Sequence, residues 1–302
     1  MKKMMNYLLG ILLLITFGFP LHAQEIHEIE HEGLPRAYTI NIPGTYDGET
    51  PIPLVIVLHG AGEDSITMQL TTQFADFGEE SGYFVVFPNG VSNGWDYLEA
   101  DDQQPLETHV DDVGFISKLI DTLIAEYAVD EERIYLIGYS NGALLALRLG
   151  CDLAERLDGV VSIAGTYSYE MIRHCAGQPP VPILFVWGTE DSAFPTGGYV
   201  IEQENGRIRS SFSLAQTRSY LITHYGCETR PQAIRIESES SPYPVVSETY
   251  SDCIDGSTAR LLVLVDHDHG FPIAPRMMLA DGTFGSTQEA IWDFIQEQAA
   301  TP

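Results

Sequence analysis

The strongest constraint on this chain is an alternation of apolar, β-rich runs with stretches of helical periodicity. Runs at 54–58, 83–87, 133–137, 160–163, 183–187 and 261–265 are strand-length and almost continuously apolar. That is the pattern of strands buried on both faces. Between and after them, 113–127, 143–149, 211–224 and 288–298 place apolar residues at helical spacing. Strands of this kind joined through helices specify an α/β fold with a mostly parallel, doubly covered sheet. No internal repeat or Pro- or Ser-rich linker interrupts the series, and 44% of the 302 residues are apolar against 19% charged. A single domain over 24–302 is therefore expected. The stretch 230–257, polar and β-branched with Pro231, Pro242 and Pro244, reads as an edge hairpin or small excursion.

The first residues follow a different logic. Lys2 and Lys3 precede an apolar run from Tyr7 to Phe19, then Pro20 and a small residue, Ala23. This order of charge, grease and small residue predicts a signal peptide over 1–23. The run is short for a bilayer span and lacks a basic stop-transfer cluster, so the expected mature chain is secreted or periplasmic. Four cysteines follow: Cys151, Cys175, Cys227 and Cys253. An even number in an exported chain predicts two disulfides. Three pairings are open, and the local pairs, 151 with 175 and 227 with 253, are preferred because each flanks a helix-to-strand passage. No pair has the C-x-x-C spacing of a zinc site.

The net charge of −28 repels phosphate backbones and anionic lipid. Nucleic acid and membrane surfaces are poor partners for such a chain. Its ordinary meaning is a well-solvated acidic surface, which does not select a substrate or an oligomeric state.

Chemistry enters at Gly138-Tyr139-Ser140-Asn141-Gly142, between the strand run 133–137 and the helical run 143–149. A strand, a G-x-S-x-G turn and a helix together lift a serine hydroxyl to the sheet's carboxyl edge, where a helix N-terminus faces it. A serine hydroxyl is a weak nucleophile without a base, and in this arrangement acid and histidine follow the serine. The downstream histidines are His174, His224, His267 and His269. His174 precedes the strand expected to carry the acid, and His224 lies in a helical pattern. Of the remaining two, His269 is preferred, since it lies farther into the loop beside Gly270. Asp266-His267-Asp268-His269 also resembles metal ligands, but adjacent side chains alternate in direction and no distant ligand set accompanies them. No metal or organic cofactor is expected.

The strand run 183–187 ends in Gly188-Thr189-Glu190-Asp191, so a carboxylate there can orient the imidazole. Glu190 and Asp191 compete for that role, with Asp191 preferred. Asp111 and Asp112 precede a helix and the serine, and are read as helix caps. Oxyanion donors are expected from the backbone N–H of Asn141 and from the loop Leu58-His59-Gly60-Ala61-Gly62, with Ala61 first and Gly60 as fallback. His59 is read as a support of that loop. Trp95 and Tyr97 are candidates for a pocket wall, with packing on the sheet as the competing role. Tyr139 and Phe271 are further candidate substrate contacts.

These segments resemble the bacterial polyhydroxybutyrate-depolymerase and feruloyl-esterase group of α/β-hydrolases, placed with carbohydrate esterase family one. The resemblance runs from about Pro35 to Trp292. Leu-His-Gly-Ala-Gly, Val-Asp-Asp-Val-Gly-Phe at 110–115, Gly-Tyr-Ser-Asn-Gly and Gly-Thr-Glu-Asp occur in the same order. The family's His-x-Trp-Pro segment is matched by His269-Gly270-Phe271-Pro272, which implies His269 as the base. Its G-T-x-D pattern implies Asp191 as the acid, and its disulfides resemble both local pairs. Two departures, Phe271 for the usual Trp and Ile273 where glycine is common, imply a differently shaped acyl pocket. The resemblance implies hydrolysis of feruloyl or acetyl esters of plant cell-wall xylan, so the expected partner is an ester linked to a polysaccharide or an oligomer. Short-chain polyester is the nearest alternative substrate. A silent binding protein on a hydrolase scaffold is the alternative from another class.

Overall fold

A computed structural model describes residues 25–98, 110–202, 208–237, 243–273, 276–278 and 284–299; the leader expected over 1–23 lies outside them. The chain opens with an antiparallel hairpin, β1 (Ile26–His31) and β2 (Leu34–Asn41), turned at Glu32 and Gly33. Then come β3 (Ile52–Leu58), α1 (Ser65–Thr72), α2 (Phe74–Ser81), β4 (Phe84–Pro88), α3 (Asp112–Glu126), β5 (Val129–Tyr139) and α4 (Asn141–Asp152). The series continues with β6 (Gly159–Ile163), a short α5 (Met171–His174), β7 (Ile183–Gly188), a ribbon of β8 (Tyr199–Glu202) and β9 (Ile208–Ser211), and α6 (Leu214–His224). It closes with β10 (Gln232–Ile236), β11 (Val245–Tyr250), β12 (Ala259–Leu264), a second small ribbon of β13 (Arg276–Met278) and β14 (Phe284–Ser286), and α7 (Thr287–Ala299).

Ten strands form one sheet in the order β1-β2-β4-β3-β5-β6-β7-β12-β11-β10. The six central strands, β4 to β12 in that order, are parallel, and antiparallel pairs flank them on both edges. They are the six apolar runs of the sequence. The stretch 230–257 supplies β10 and β11, an antiparallel edge hairpin, as expected.

Alternation within each central strand feeds two cores. Leu54, Ile56 and Leu58 of β3 join Phe115, Leu119 and Leu145 on one face, while Val55 and Val57 join Phe74, Ile291 and Trp292 on the other. Thus α3, α4 and α6 cover one side and α1, α2 and α7 the other. This is the doubly covered sheet that continuous apolar strands require. No helix among the described residues is long and apolar enough to cross a membrane.

Both local disulfides form. Cys151–Cys175 ties α4 to the end of α5, and Cys227–Cys253 ties the loop after α6 to the turn before β12. Sequence separations of 24 and 26 residues correspond to about 3.5 kcal/mol each in the chain-entropy account.

The two aspartates before α3 have different roles. Asp111 is the N-cap, accepting from the Gly114 N–H at 2.8 Å. Asp112, also expected as a cap, is instead buried in an ion pair with Arg36 of β2, and its other oxygen accepts from the Asp96 N–H. The Arg36 guanidinium also lies 3.8 Å above the centre of the Phe115 ring. The sequence pattern of a cap does not reveal a partner 76 residues away.

Candidate active site

Ser140 lies between β5 and α4 with φ 52° and ψ −113°. This left-handed backbone is disfavoured for a residue with a side chain. Its N–H donates to the Ile163 carbonyl at 2.8 Å, fastening the turn to β6. The flanking glycines are required by contact. A Cβ on Gly138 would lie 2.2 Å from the Gly142 carbonyl oxygen, and one on Gly142 would lie 2.4 Å from that of Leu58.

The Ser140 Oγ and His269 Nε2 are 2.9 Å apart, and the other ring nitrogen, Nδ1, is 3.0 Å from both carboxylate oxygens of Asp191. The side chain of Asp191 is fully buried, and its Oδ1 also accepts from the N–H groups of Ala193 and Phe194. Its competitor Glu190 is exposed. The carboxyl ends of β5, β7 and β12 thus bring three side chains, distant in sequence, into one hydrogen-bonded line.

The loops that carry the acid and the histidine are stitched together. Glu190 N–H donates to the His267 carbonyl, and Asp266 N–H to Thr189 Oγ1. Asp268 Oδ1 accepts from the His269 N–H and from both the N–H and hydroxyl of Ser192. These bonds hold the Asp268 carboxyl below the usual range. His267 turns away, its Nδ1 2.6 Å from the Asp268 carbonyl and its ring against Tyr243. The two histidines of the D-H-D-H run therefore do not converge on one point.

The loop after β3 is built around His59, which is completely buried. Nε2 accepts from the Gly90 N–H at 3.0 Å, which leaves Nδ1 as the protonated nitrogen, donating to the Gly60 carbonyl at 2.8 Å. Burial lowers the His59 pKa. With both nitrogens engaged, this ring braces the loop. The Gly60 amide, the fallback oxyanion donor, is occupied by Glu63 Oε2. Among the described residues the amides of Ala61 and Asn141 donate to no protein group, and both residues line the cleft with Ser140. The Asn141 side chain clamps the main chain of Trp95, accepting from its N–H and donating to its carbonyl.

That cleft has a volume of about 560 Å³. The structure does not bring Trp95 to it. The indole is 5% exposed, packs against His59 and donates to the His59 carbonyl at 2.9 Å. Tyr97, the other aromatic considered, does line it, with Leu144, Phe194, Tyr199, Ile201 and Arg209 among others. Tyr139 and Phe271 lie outside that lining. Tyr139 stacks at 5.9 Å on the His269 ring, with Phe271 edge-on behind it. Burial pushes the Tyr139 phenol up to about 12. Phe194 and the β8–β9 ribbon escaped the sequence reading. Phe194 follows the acid by three residues in an unpatterned loop, and the ribbon is too short to register as strands; its exposed Val200, Ile201 and Ile208 were the available signal.

A serine on a strained strand-to-helix turn, followed in chain order by aspartate and histidine at the carboxyl edge of a largely parallel sheet, is the arrangement of the α/β-hydrolases. Within that class the chain belongs to the phospholipase/carboxylesterase family, whose sequence model matches residues 47–204. It is 29% identical over 175 residues to the putative esterase NocK of Nocardia uniformis subsp. tsuyamanensis, covering 57% of this chain and 49% of that protein. It is 27% identical over 188 residues to a probable feruloyl esterase C of Aspergillus niger, covering 60% of this chain and 63% of the relative. The chain thus spans less than two thirds of either relative. Among solved structures, an acetyl xylan esterase from Aspergillus awamori shares the fold with a TM-score of 0.59, over 82% of this chain and 95% of that one, at 12% identity.

Proposed function

We propose that this protein is an exported serine carboxylic-ester hydrolase with Ser140 as nucleophile, His269 as base and Asp191 as the group that orients it. The observation that carries the reading is the 2.9 Å approach of Ser140 Oγ to His269 Nε2, with Nδ1 held by a buried carboxylate. His269 takes the hydroxyl proton as Ser140 attacks the ester carbonyl, and the amides of Ala61 and Asn141 receive the oxyanion. The imidazolium then protonates the departing alcohol. Water repeats the sequence on the acyl-enzyme and releases the acid. Family membership supports ester chemistry, and two disulfides support an oxidising compartment.

Feruloyl or acetyl esters of xylan are the proposed substrates. The printed name of the Aspergillus niger relative and the aromatic side chains of Tyr97, Phe194 and Tyr199 in the cleft support the feruloyl member. Hydrolysis of methyl ferulate, acetylated xylan and a hydroxybutyrate oligomer, with Ser140→Ala as blank, tests the choice. Turnover of the oligomer alone would replace the substrate and leave the chemistry. Folded protein whose Ser140 never reacts with a fluorophosphonate would instead be a silent hydrolase scaffold.

A further inference from the structure

Among the described residues, the lining of the cleft over Ser140 departs from the acidic character of the chain. The chain carries 43 acidic residues against 15 lysines and arginines. Among the described residues, however, the cleft lining contains no carboxylate and a single cation, Arg209. Arg209 lies on β9 directly across from Ile201 of β8, so both side chains share one face of the ribbon, with Tyr199 two residues along. All three line the cleft.

Most arginines elsewhere are neutralised, among them Arg36 by Asp112, Arg218 by Glu248 and Arg260 by Glu297, and the exposed Arg173 and Arg230 lie outside the cleft lining. Arg209 is exposed and makes no ion pair with a carboxylate among the described residues; the acidic Glu170 lines the adjoining pocket that Arg209 also lines. A guanidinium beside the low-dielectric walls of Leu144, Phe194 and Tyr97 attracts anions more strongly than one on an open surface. The surrounding acidic surface repels the same anions. A neutral ester gains little from this charge, whereas a carboxylate can take it through two parallel N–H···O bonds.

We infer that Arg209 selects esters carrying a carboxylate close to the scissile bond, binding that carboxylate while Ser140 attacks the ester carbonyl. The inference rests on the esterase reading of Ser140. Its carboxylate has two chemical sources. It is either the free end of a dicarboxylic half-ester, on the acyl side, or a uronic acid on the carbohydrate that bears the ester.

Two probe pairs separate these sources. The acyl arm compares p-nitrophenyl hydrogen glutarate with p-nitrophenyl valerate, and the alcohol arm compares acetylated xylo-oligosaccharides with and without a glucuronic acid branch. The wild type is expected to favour the charged member in one arm. Arg209→Gln lowers that charged-to-neutral ratio of kcat/KM about tenfold, the scale of a charge-assisted hydrogen bond to substrate. Arg209→Lys restores part of it, and raising ionic strength from about 0.01 M to about 1 M erodes it in the wild type. Arg235→Gln, at an exposed arginine paired with Glu237 on the edge hairpin, leaves the ratio unchanged. Neutral esters turned over without charge preference in either arm, or an equal loss on both members of a pair in Arg209→Gln, would overturn the inference while sparing the esterase reading. Folded protein that neither turns over any probe nor labels with a fluorophosphonate removes both.

Discussion

Replacing Asp191 by asparagine tests the proposed line of hydrogen bonds while changing almost nothing in volume. Asp191 Oδ1 accepts from the amides of Ala193 at 2.9 Å and Phe194 at 2.7 Å. In Asp191→Asn those two donors require an oxygen at the Oδ1 position, already shared with His269 Nδ1, which puts the NH₂ at the Oδ2 position, also 3.0 Å from Nδ1. An NH₂ there donates to Nδ1, so the ring proton moves to Nε2, the nitrogen that must accept the Ser140 proton. The expected loss is about 10⁴-fold in kcat, as for the wrong tautomer in a serine triad. Stability should barely change, because both backbone donors stay satisfied. Asp191→Ala leaves them unpaired, and each buried orphan costs about 1–3 kcal/mol. The assay is kcat for p-nitrophenyl acetate at neutral pH, with urea midpoints for both variants. An asparagine variant within tenfold of wild type would refute the tautomer reasoning, and equal destabilisation by the two substitutions would refute the assigned amide orientation.

Three further outcomes follow from the same contacts. Gly142→Ala drives a Cβ against the Leu58 and His59 carbonyl oxygens at 2.4 and 2.5 Å, so a loss of about 3 kcal/mol or more is expected in urea unfolding; an unchanged midpoint would contradict it. Arg36→Met strands Asp112 at 1% exposure and should cost about 3–5 kcal/mol, with Arg36→Met/Asp112→Leu recovering much of it. His59, neutral and buried with its pKa lowered, binds its proton more readily in the unfolded chain. Its contribution to stability is therefore complete above the ordinary histidine value of about 6.5 and declines as pH falls from there toward its lower folded value. NMR titration of the folded protein checks this, and an ordinary or raised His59 pKa would defeat the account.

Much of this site can be read along the chain because its parts are local rules. The glycines at 138 and 142 announce a crowded turn, and runs buried on both faces announce parallel strands whose carboxyl ends share one edge. Ser140 follows from those rules; chain order narrows the acid to Glu190 or Asp191 and the base to His267 or His269, and the family resemblance implies Asp191 and His269. What stayed hidden depends on contacts that sequence spacing does not encode. Trp95 and Tyr97 are two residues apart, yet one braces His59 and the other lines the cleft. Asp111 and Asp112 both look like caps, but Arg36 claims the second. The β8–β9 ribbon has only four residues per strand, too few for a period, so Arg209 and the far wall went unseen.

The β8–β9 ribbon hydrogen-bonds as a separate two-stranded sheet, not as part of the ten-stranded one, whereas the elbow, the His59 loop and the stitched acid and histidine loops all hang from central strands. On the proposed reading, the triad and the substrate-selecting Arg209 are thereby mounted on different supports. Under that same reading, a change confined to this ribbon alters the esters accepted and leaves the alignment of Ser140, His269 and Asp191 in place. For an engineer, the ribbon is the place to graft, and the loops after β3, β5, β7 and β12 are the places to leave alone.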